Sequence, residues 1–133
     1  MRDLEGPLGR EKLAPFTSLF VVDGDEDGFA VSQALLANEG SGHTAIIHTS
    51  GASRIERFGR VMPASRILIN APGLHGSLGL DTGLELSMTL DTGTFGGTPT
   101  TDAATYTHLV NVKRVAQSSH TGWDEIRQLA SAA

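Results

Sequence analysis

Few side chains in this 133-residue sequence could carry nucleophilic or acid–base chemistry. It has no cysteine, which excludes a thiol nucleophile, a disulfide and a thiolate zinc site within these residues. Its histidines show no pair at the i, i+4 spacing of a helical metal site: His43, His48, His75, His108 and His120. We predict no metal site, and we expect most of these imidazoles to be exposed or hydrogen-bonded in loops rather than to act as bases.

One group of acids has the spacing of a calcium loop. Asp23, Asp25, Asp27 and Gly28 match the first, third, fifth and sixth positions of an EF-hand loop. The twelfth position needs a bidentate Glu and holds Ala34 instead. The sequence therefore favours a turn from a strand into a helix, with the acids near the helix N-terminus, over a calcium site.

A second acidic motif has the form seen in aspartic proteases, apolar-Asp-Thr-Gly-Thr, at Leu90 to Thr94. Such catalysis needs two facing carboxylates, one of them protonated. Asp81 is too close to Asp91 in sequence to come from a second symmetric lobe, although a homodimer could supply the pair. A homodimeric aspartic protease using Asp91 is therefore kept as an alternative.

The first half of the chain predicts parallel β-α-β units. Short, largely apolar runs typical of buried strands alternate with helical patterns, and the predicted strands are Ser18 to Val22, Thr44 to His48 and Arg66 to Asn70. One helix should begin at the acids from Asp25 and end near Gly40, and a shorter one should end before Pro63. These features predict an α/β fold in one domain.

The second half is different in character. Seven glycines between Gly73 and Gly97 predict a long, loop-dominated stretch. After it, Leu109 to Val112 is typical of an edge strand. A final helix is predicted from Thr121 to Ala130, with Trp123, Ile126 and Leu129 on one face behind a threonine cap.

Charge and hydropathy exclude several functions. The net charge is −5 and no basic cluster is longer than Lys113-Arg114, so nucleic acid is not an expected partner. No apolar run approaches the roughly 18 residues of a membrane helix, so no membrane is expected. Acidic and basic residues interrupt the first 20 positions, which argues against a secretory leader and favours the cytoplasm.

Five blocks of the sequence resemble, in order, the C-terminal part of CoA-acylating aldehyde dehydrogenases. One is similar to the family's Glu-Lys-Leu-Ser-Pro and the next to its Gly-His-Thr. The blocks run from about Arg10 to Ala116: Glu11-Lys12-Leu13-Ala14-Pro15, Gly42-His43-Thr44-Ala45, Ser65 to Pro72, Leu90 to Gly97 and His108 to Ala116. The resemblance implies that residues 1–133 are the C-terminal portion of a three-layer catalytic domain, with a mostly parallel sheet and a C-terminal edge strand.

The resemblance implies an NAD- or NADP-dependent reaction with coenzyme A as co-substrate. In the family a cysteine thiolate attacks the aldehyde, hydride passes to the nicotinamide, and CoA takes the acyl group. The cysteine and the dinucleotide-binding domain precede the Glu-Lys-Leu block, so this chain is expected to hold no catalytic residue, no closed NAD pocket and no activity alone. Glu11 resembles the acid that binds the nicotinamide ribose, a role that suits a carboxylate because it accepts from both hydroxyls.

The resemblance also implies substrate and partner contacts. Leu74, His75 and Phe95 lie in loops that line the substrate entrance in related enzymes. Residues 108–116 resemble a strand that pairs with a neighbouring subunit, which implies a homo-oligomer. Asp91-Thr92-Gly93 departs from the family's Gly-Cys-Gly, so the aldehyde is left open. The expected partner is the N-terminal part of such an enzyme, and the alternative is a non-catalytic remnant that only folds or associates.

Overall fold

The structure, a computed structural model, describes residues 3–117 and 122–131. Its regular elements are, in chain order, α1 (Gly24–Glu39), β1 (Gly42–Ile47), α2 (Ala52–Val61), β2 (Ala64–Ile69), α3 (Gly73–Ser77), α4 (Gly93–Gly96) and α5 (Trp123–Ser131). Short 3-10 turns lie at Pro7–Gly9 and Tyr106–His108.

The centre of the chain is a parallel β-α-β unit. β1 and β2 pair in parallel, with Gly42 opposite Ala64 and Ile47 opposite Ile69, and α2 makes the crossover. Parallel strands need such a connection because they cannot be joined by a tight hairpin. The two predicted strands here and the helices before and between them are confirmed.

Helices cover both faces of this small sheet. On one face α1 and α2 pack over Ala45, and the rings of Phe29 and Phe58 meet edge to face with centroids 5.4 Å apart. On the other face α3 packs against Ile46 and Leu68, and α4 contacts β1. The result is the three-layer α/β arrangement that the sequence predicts.

The acids at the start of α1 bind its first backbone groups and connect it to α2. The Asp27 carboxylate accepts a hydrogen bond from the N–H of Asp23, the residue that precedes the helix, at 2.7 Å. Arg54 of α2 donates to Asp25 at 2.7 Å, and Arg57 pairs with Glu26. The motif that resembles a calcium loop is therefore a helix start whose carboxylates bind backbone and arginine groups.

Two predicted strands are absent from the described residues. Ser18 to Val22 and Leu109 to Val112 contain no strand, and their apolar side chains are mostly exposed, with Leu19 at 90% and Leu109 at 89%. Both were predicted from apolar, β-branched composition. A strand also requires a neighbouring backbone to pair with, and the described sheet consists of β1 and β2.

The glycine-rich stretch is irregular, as predicted, with α3 and α4 as single short helices and one bridge between Leu90 and Ala103. The C-terminal helix is confirmed as α5, but Thr121, its predicted cap, lies outside the described residues. So does His120. Among the described helices, none is both long and apolar enough to cross a membrane.

Candidate functional site

An open cleft of about 600 Å³ lies between the N-terminal segment and the end of α1. Its lining includes Glu11, Glu39, Gly40 and His43. The Glu11 backbone N–H donates to the Glu39 carboxylate at 2.5 Å, which ties the segment to the helix. No described group bonds the Glu11 carboxylate, so this acid is free to accept hydrogen bonds from a ligand.

His43 is the imidazole of this cleft. It follows Gly42 at the start of β1, its side chain is exposed, and its Nδ1 lies 2.9 Å from the Thr44 hydroxyl. That contact leaves Nε2 without a described partner, as an acid–base group would need. From the sequence, His43 is expected to be a hydrogen-bonded loop residue, although it belongs to the Gly-His-Thr block that resembles the acylating family.

Gly42 brings the α4 loop against the start of β1. Its φ is +77°, and a Cβ there would lie 2.2 Å from the Thr92 carbonyl oxygen. The same oxygen accepts a hydrogen bond from the Ser65 hydroxyl at 2.9 Å. A side chain at position 42 would thus separate the loop from the strand, which explains why glycine is needed.

A buried arginine also anchors the loop that leads into α4. Arg66 donates through Nη1 to the Asp91 carbonyl at 2.8 Å and through Nε to the Thr44 hydroxyl at 3.2 Å. Burial lowers the pKa of Arg66, and the charge of Asp91 opposes that shift. Asp91 therefore acts here as an anchor for the loop, and nothing in this arrangement favours the protease alternative.

The predicted substrate-contact residues lie at two ends of the sheet. Leu74 and His75 are exposed on α3, which follows the carboxyl end of β2, and Phe95 is exposed on α4, which packs at the amino end of β1. None of the three lines the cleft that contains Glu11. Within the part of the chain that the structure describes, no three His, Asp or Glu residues are grouped to hold a metal ion.

Solved structures place the chain among the aldehyde dehydrogenases. It superposes on an acetylating aldehyde dehydrogenase from Geobacillus thermoglucosidasius with a TM-score of 0.80 and 37% identity, over 86% of this chain and 25% of that one. A probable aldehyde dehydrogenase from Listeria monocytogenes gives a TM-score of 0.82 and 34% identity, over 90% of this chain and 26% of that one. No protein-family model matches the chain.

Curated relatives narrow the class to its acylating members. The chain is 35% identical over 111 residues to aldehyde-alcohol dehydrogenase 2 of Entamoeba histolytica, covering 83% of this chain and 13% of that protein. It is 32% identical over 108 residues to succinate-semialdehyde dehydrogenase (acetylating) of Clostridium kluyveri, covering 81% and 24%. The chain thus matches part of an acylating aldehyde dehydrogenase domain, which confirms the resemblance, and it spans a quarter or less of these two curated relatives.

Proposed function

We propose that this chain is the C-terminal portion of the catalytic domain of a CoA-acylating aldehyde dehydrogenase, which converts an aldehyde, CoA and NAD or NADP to an acyl-CoA and the reduced nucleotide. The observation that carries the proposal is the cleft in which Glu11 and His43 lie together, in a chain that matches acylating enzymes. The thiol nucleophile must come from outside these 133 residues, because they contain no cysteine.

Glu11 is the proposed nucleotide contact. Its carboxylate has no partner among the described residues and borders an open cleft, so it fits the role of accepting hydrogen bonds from the two hydroxyls of the nicotinamide ribose. The nucleotide, when bound, supplies the hydride acceptor. The hydrogen bond from the Glu11 N–H to Glu39 fixes the backbone that presents the carboxylate.

His43 is the proposed proton acceptor. A neutral imidazole nitrogen can accept a proton from a thiol. The Thr44 hydroxyl beside Nδ1 orients the ring and leaves Nε2 for this transfer. His43 would thereby assist the cysteine or the CoA thiol, both of which react as thiolates.

The substrate and assembly contacts complete the proposal. Exposed Leu74 and His75 on α3 and exposed Phe95 on α4 would line two separate parts of the substrate entrance once the rest of the domain is present. Residues 108–116, which are exposed and form no strand in the described chain, would pair with a neighbouring subunit in a cytoplasmic oligomer. The chain alone would be inactive.

The test is reduction of NAD or NADP by a panel of short aldehydes with CoA, followed at the nicotinamide absorbance. The 133-residue chain would be assayed alone and mixed with a cysteine-bearing N-terminal fragment of an acylating aldehyde dehydrogenase. Activity in the mixture but not in either part alone is the expected result. If the parts associate but the mixture reduces no nucleotide, the alternative of a non-catalytic remnant would be favoured.

Matched variants test the cleft. Glu11→Gln should raise the KM for the nucleotide, since an amide accepts less well from two hydroxyls. His43→Gln should lower kcat/KM by roughly 10²-fold or more, and His48→Gln, which alters an exposed histidine just beyond β1, should not. Equal activity of the two histidine variants would remove His43 from the mechanism.

A further inference from the structure

Arg66 is a charged side chain buried beside the candidate site. It lies in β2, 7% of its surface is exposed, and its Nη2 has no hydrogen-bond partner among the described residues. Burying a guanidinium costs free energy, and a well-packed apolar side chain at such a position is often as stable or more stable. Packing alone therefore does not account for an arginine here, and the hydrogen bonds that it does make indicate its role.

One of these hydrogen bonds leads to His43. The Nε–H of Arg66 donates to the Thr44 hydroxyl at 3.2 Å, and the same oxygen lies 2.9 Å from Nδ1 of His43. A guanidinium can only donate, whereas a hydroxyl oxygen has two lone pairs and can accept from Arg66 and from a protonated Nδ1 together. The Thr44 hydroxyl thus connects a buried donor to an imidazole whose side chain is exposed.

The other hydrogen bond leads to the α4 loop. Nη1 of Arg66 donates at 2.8 Å to the carbonyl of Asp91, which lies shortly before Phe95. The neighbouring Ser65 hydroxyl binds the same loop at the Thr92 carbonyl, but this hydroxyl has no described bond to β1. Arg66 therefore bonds both the loop and the residue beside the imidazole, whereas the Ser65 hydroxyl bonds the loop.

We propose that Arg66 is a positioning residue for His43. Through Thr44 it holds the imidazole with Nδ1 protonated, which leaves Nε2 as the proton acceptor, and it fixes the α4 loop relative to that ring. This inference rests on the proposed function. A displacement of about 1 Å can cost a catalytic group much of its effect, so a buried anchor behind an exposed imidazole contributes directly to the rate.

The imidazole nitrogens of the 133-residue chain test the first part of this proposal. In protein labelled with 15N-histidine, at a pH where the ring is neutral, the His43 signals should show the proton mainly on Nδ1; they are identified by their loss in His43→Gln. Thr44→Val and Arg66→Met should each change the ratio of the two tautomers roughly threefold or more toward Nε2. Thr44→Ser keeps the hydroxyl and should keep the ratio.

Kinetics of the mixture with the cysteine-bearing fragment separate the two hydrogen bonds. Thr44→Val should lower kcat about tenfold with little change in the KM for the aldehyde. Ser65→Ala is the matched control, because it loosens the α4 loop without altering the contact to the ring, and it should raise KM rather than lower kcat. Arg66→Met should do both.

A double variant tests whether Arg66 acts through Thr44. If it does, Arg66→Met combined with Thr44→Val should lower kcat no further than Arg66→Met alone, since both changes break the same connection. Circular dichroism checks that each variant folds. If Arg66→Met does not fold, the comparison of Thr44→Val with Thr44→Ser still decides the proposal. A neutral His43 protonated on Nε2 in the unmodified chain, tautomers that do not respond to Thr44→Val, or additive losses of kcat would each overturn it.

The two proposals fail separately. Activity of the mixture, with His43 signals that do not respond to Thr44→Val, would leave the dehydrogenase function standing and reject the positioning role. Signals that respond as expected, in a mixture that reduces no nucleotide, would support the connection from Arg66 to His43 and reject the function.

Discussion

Asn70 is a residue whose backbone and side chain act together. Its φ is +53°, in the left-handed region that Asn tolerates better than most residues. Its side-chain oxygen accepts from the Thr49 N–H and its amide donates to the Thr49 carbonyl, both at 2.9 Å. One side chain thereby joins the loops that follow β1 and β2, directly before the turn into α3.

We predict that Asn70→Ala lowers the free energy of unfolding by about 2 kcal/mol, since it removes two exposed hydrogen bonds and adds left-handed strain. Asn70→Gly should cost about half as much, because glycine adopts the positive φ freely. Urea denaturation measures both. Asn111→Ala, at an exposed position with no described side-chain bond, is the control, and equal effects at positions 70 and 111 would contradict the prediction.

Gly42 and Gly59 make a second matched pair. Gly42→Ala places a Cβ against the Thr92 carbonyl at a positive φ, and we expect a loss of about 2–4 kcal/mol. Gly59 lies inside α2 with open space around it, so Gly59→Ala should stabilise the chain by about 0.5–1 kcal/mol. The midpoints of thermal unfolding should move in opposite directions, and a shift in the same direction would show that the Gly42 contact is unimportant.

At the scale of the element, helices and strands could be predicted from the sequence where the elements that they pack against lie within the described chain. α1, β1, α2 and β2 pack around one core that includes Phe29, Ala45 and Phe58, so local pattern and packing agree. It failed at Ser18 to Val22 and Leu109 to Val112, where composition favoured strands but the described chain offers no backbone to pair with. Strand formation depends on distant residues, which a local pattern does not contain.

In the candidate site, too, some features could be predicted from local sequence, whereas others depend on contacts between residues that are distant in the chain. The proposed role of Glu11 could be predicted from a resemblance in sequence, whereas the proposed role of His43 required knowing that β1 begins beside the N-terminal segment. The hydrogen bond from Arg66 to the Asp91 carbonyl could not be predicted from the sequence either, because these residues lie 25 positions apart and the acceptor is a backbone atom.

The contact between α1 and α2 predicts a pH dependence. Hydrogen bonds from Arg57 lower the pKa of Glu26, against a smaller opposing effect of desolvation. Arg57 also lies over the Phe29 ring, 5.3 Å from its centroid. Because the folded pKa is depressed, the stabilisation by Glu26 is present above its unfolded pKa of about 4.5 and is lost as the pH falls through the folded value.

We therefore expect Glu26→Gln to be slightly less stable than the unmodified chain at neutral pH and equal to it in strong acid. The effect should be small, since the pair is exposed and screened by salt. Urea midpoints across a pH series, at low and high salt, measure it. A difference that persists in acid would mean that packing rather than charge is responsible. Glu56→Gln, which alters an exposed pair within α2 alone, is the control.

At the scale of the whole molecule, apolar surface exceeds what the small core can bury. Among the residues that the structure describes, seven have buried apolar side chains: Phe29, Val31, Ala45, Phe58, Met62, Leu68 and Ala71. Large apolar side chains stay exposed in two segments without regular structure, 13–22 and 109–116. Exposed apolar surface of this extent marks an interface or promotes association.

We predict that the isolated chain self-associates as its concentration rises, and that the cysteine-bearing fragment converts it to one defined complex. Sedimentation velocity over a range of concentrations measures both. Leu109→Ser with Val115→Ser should reduce self-association, because each removes a side chain that is almost fully exposed. Leu86→Ser with Met88→Ser removes exposed apolar surface outside both segments and should have less effect. A monomer at every concentration would show that this surface needs no partner, and equal effects of the two double variants would mean that total apolar area, rather than residues 109–116, drives association.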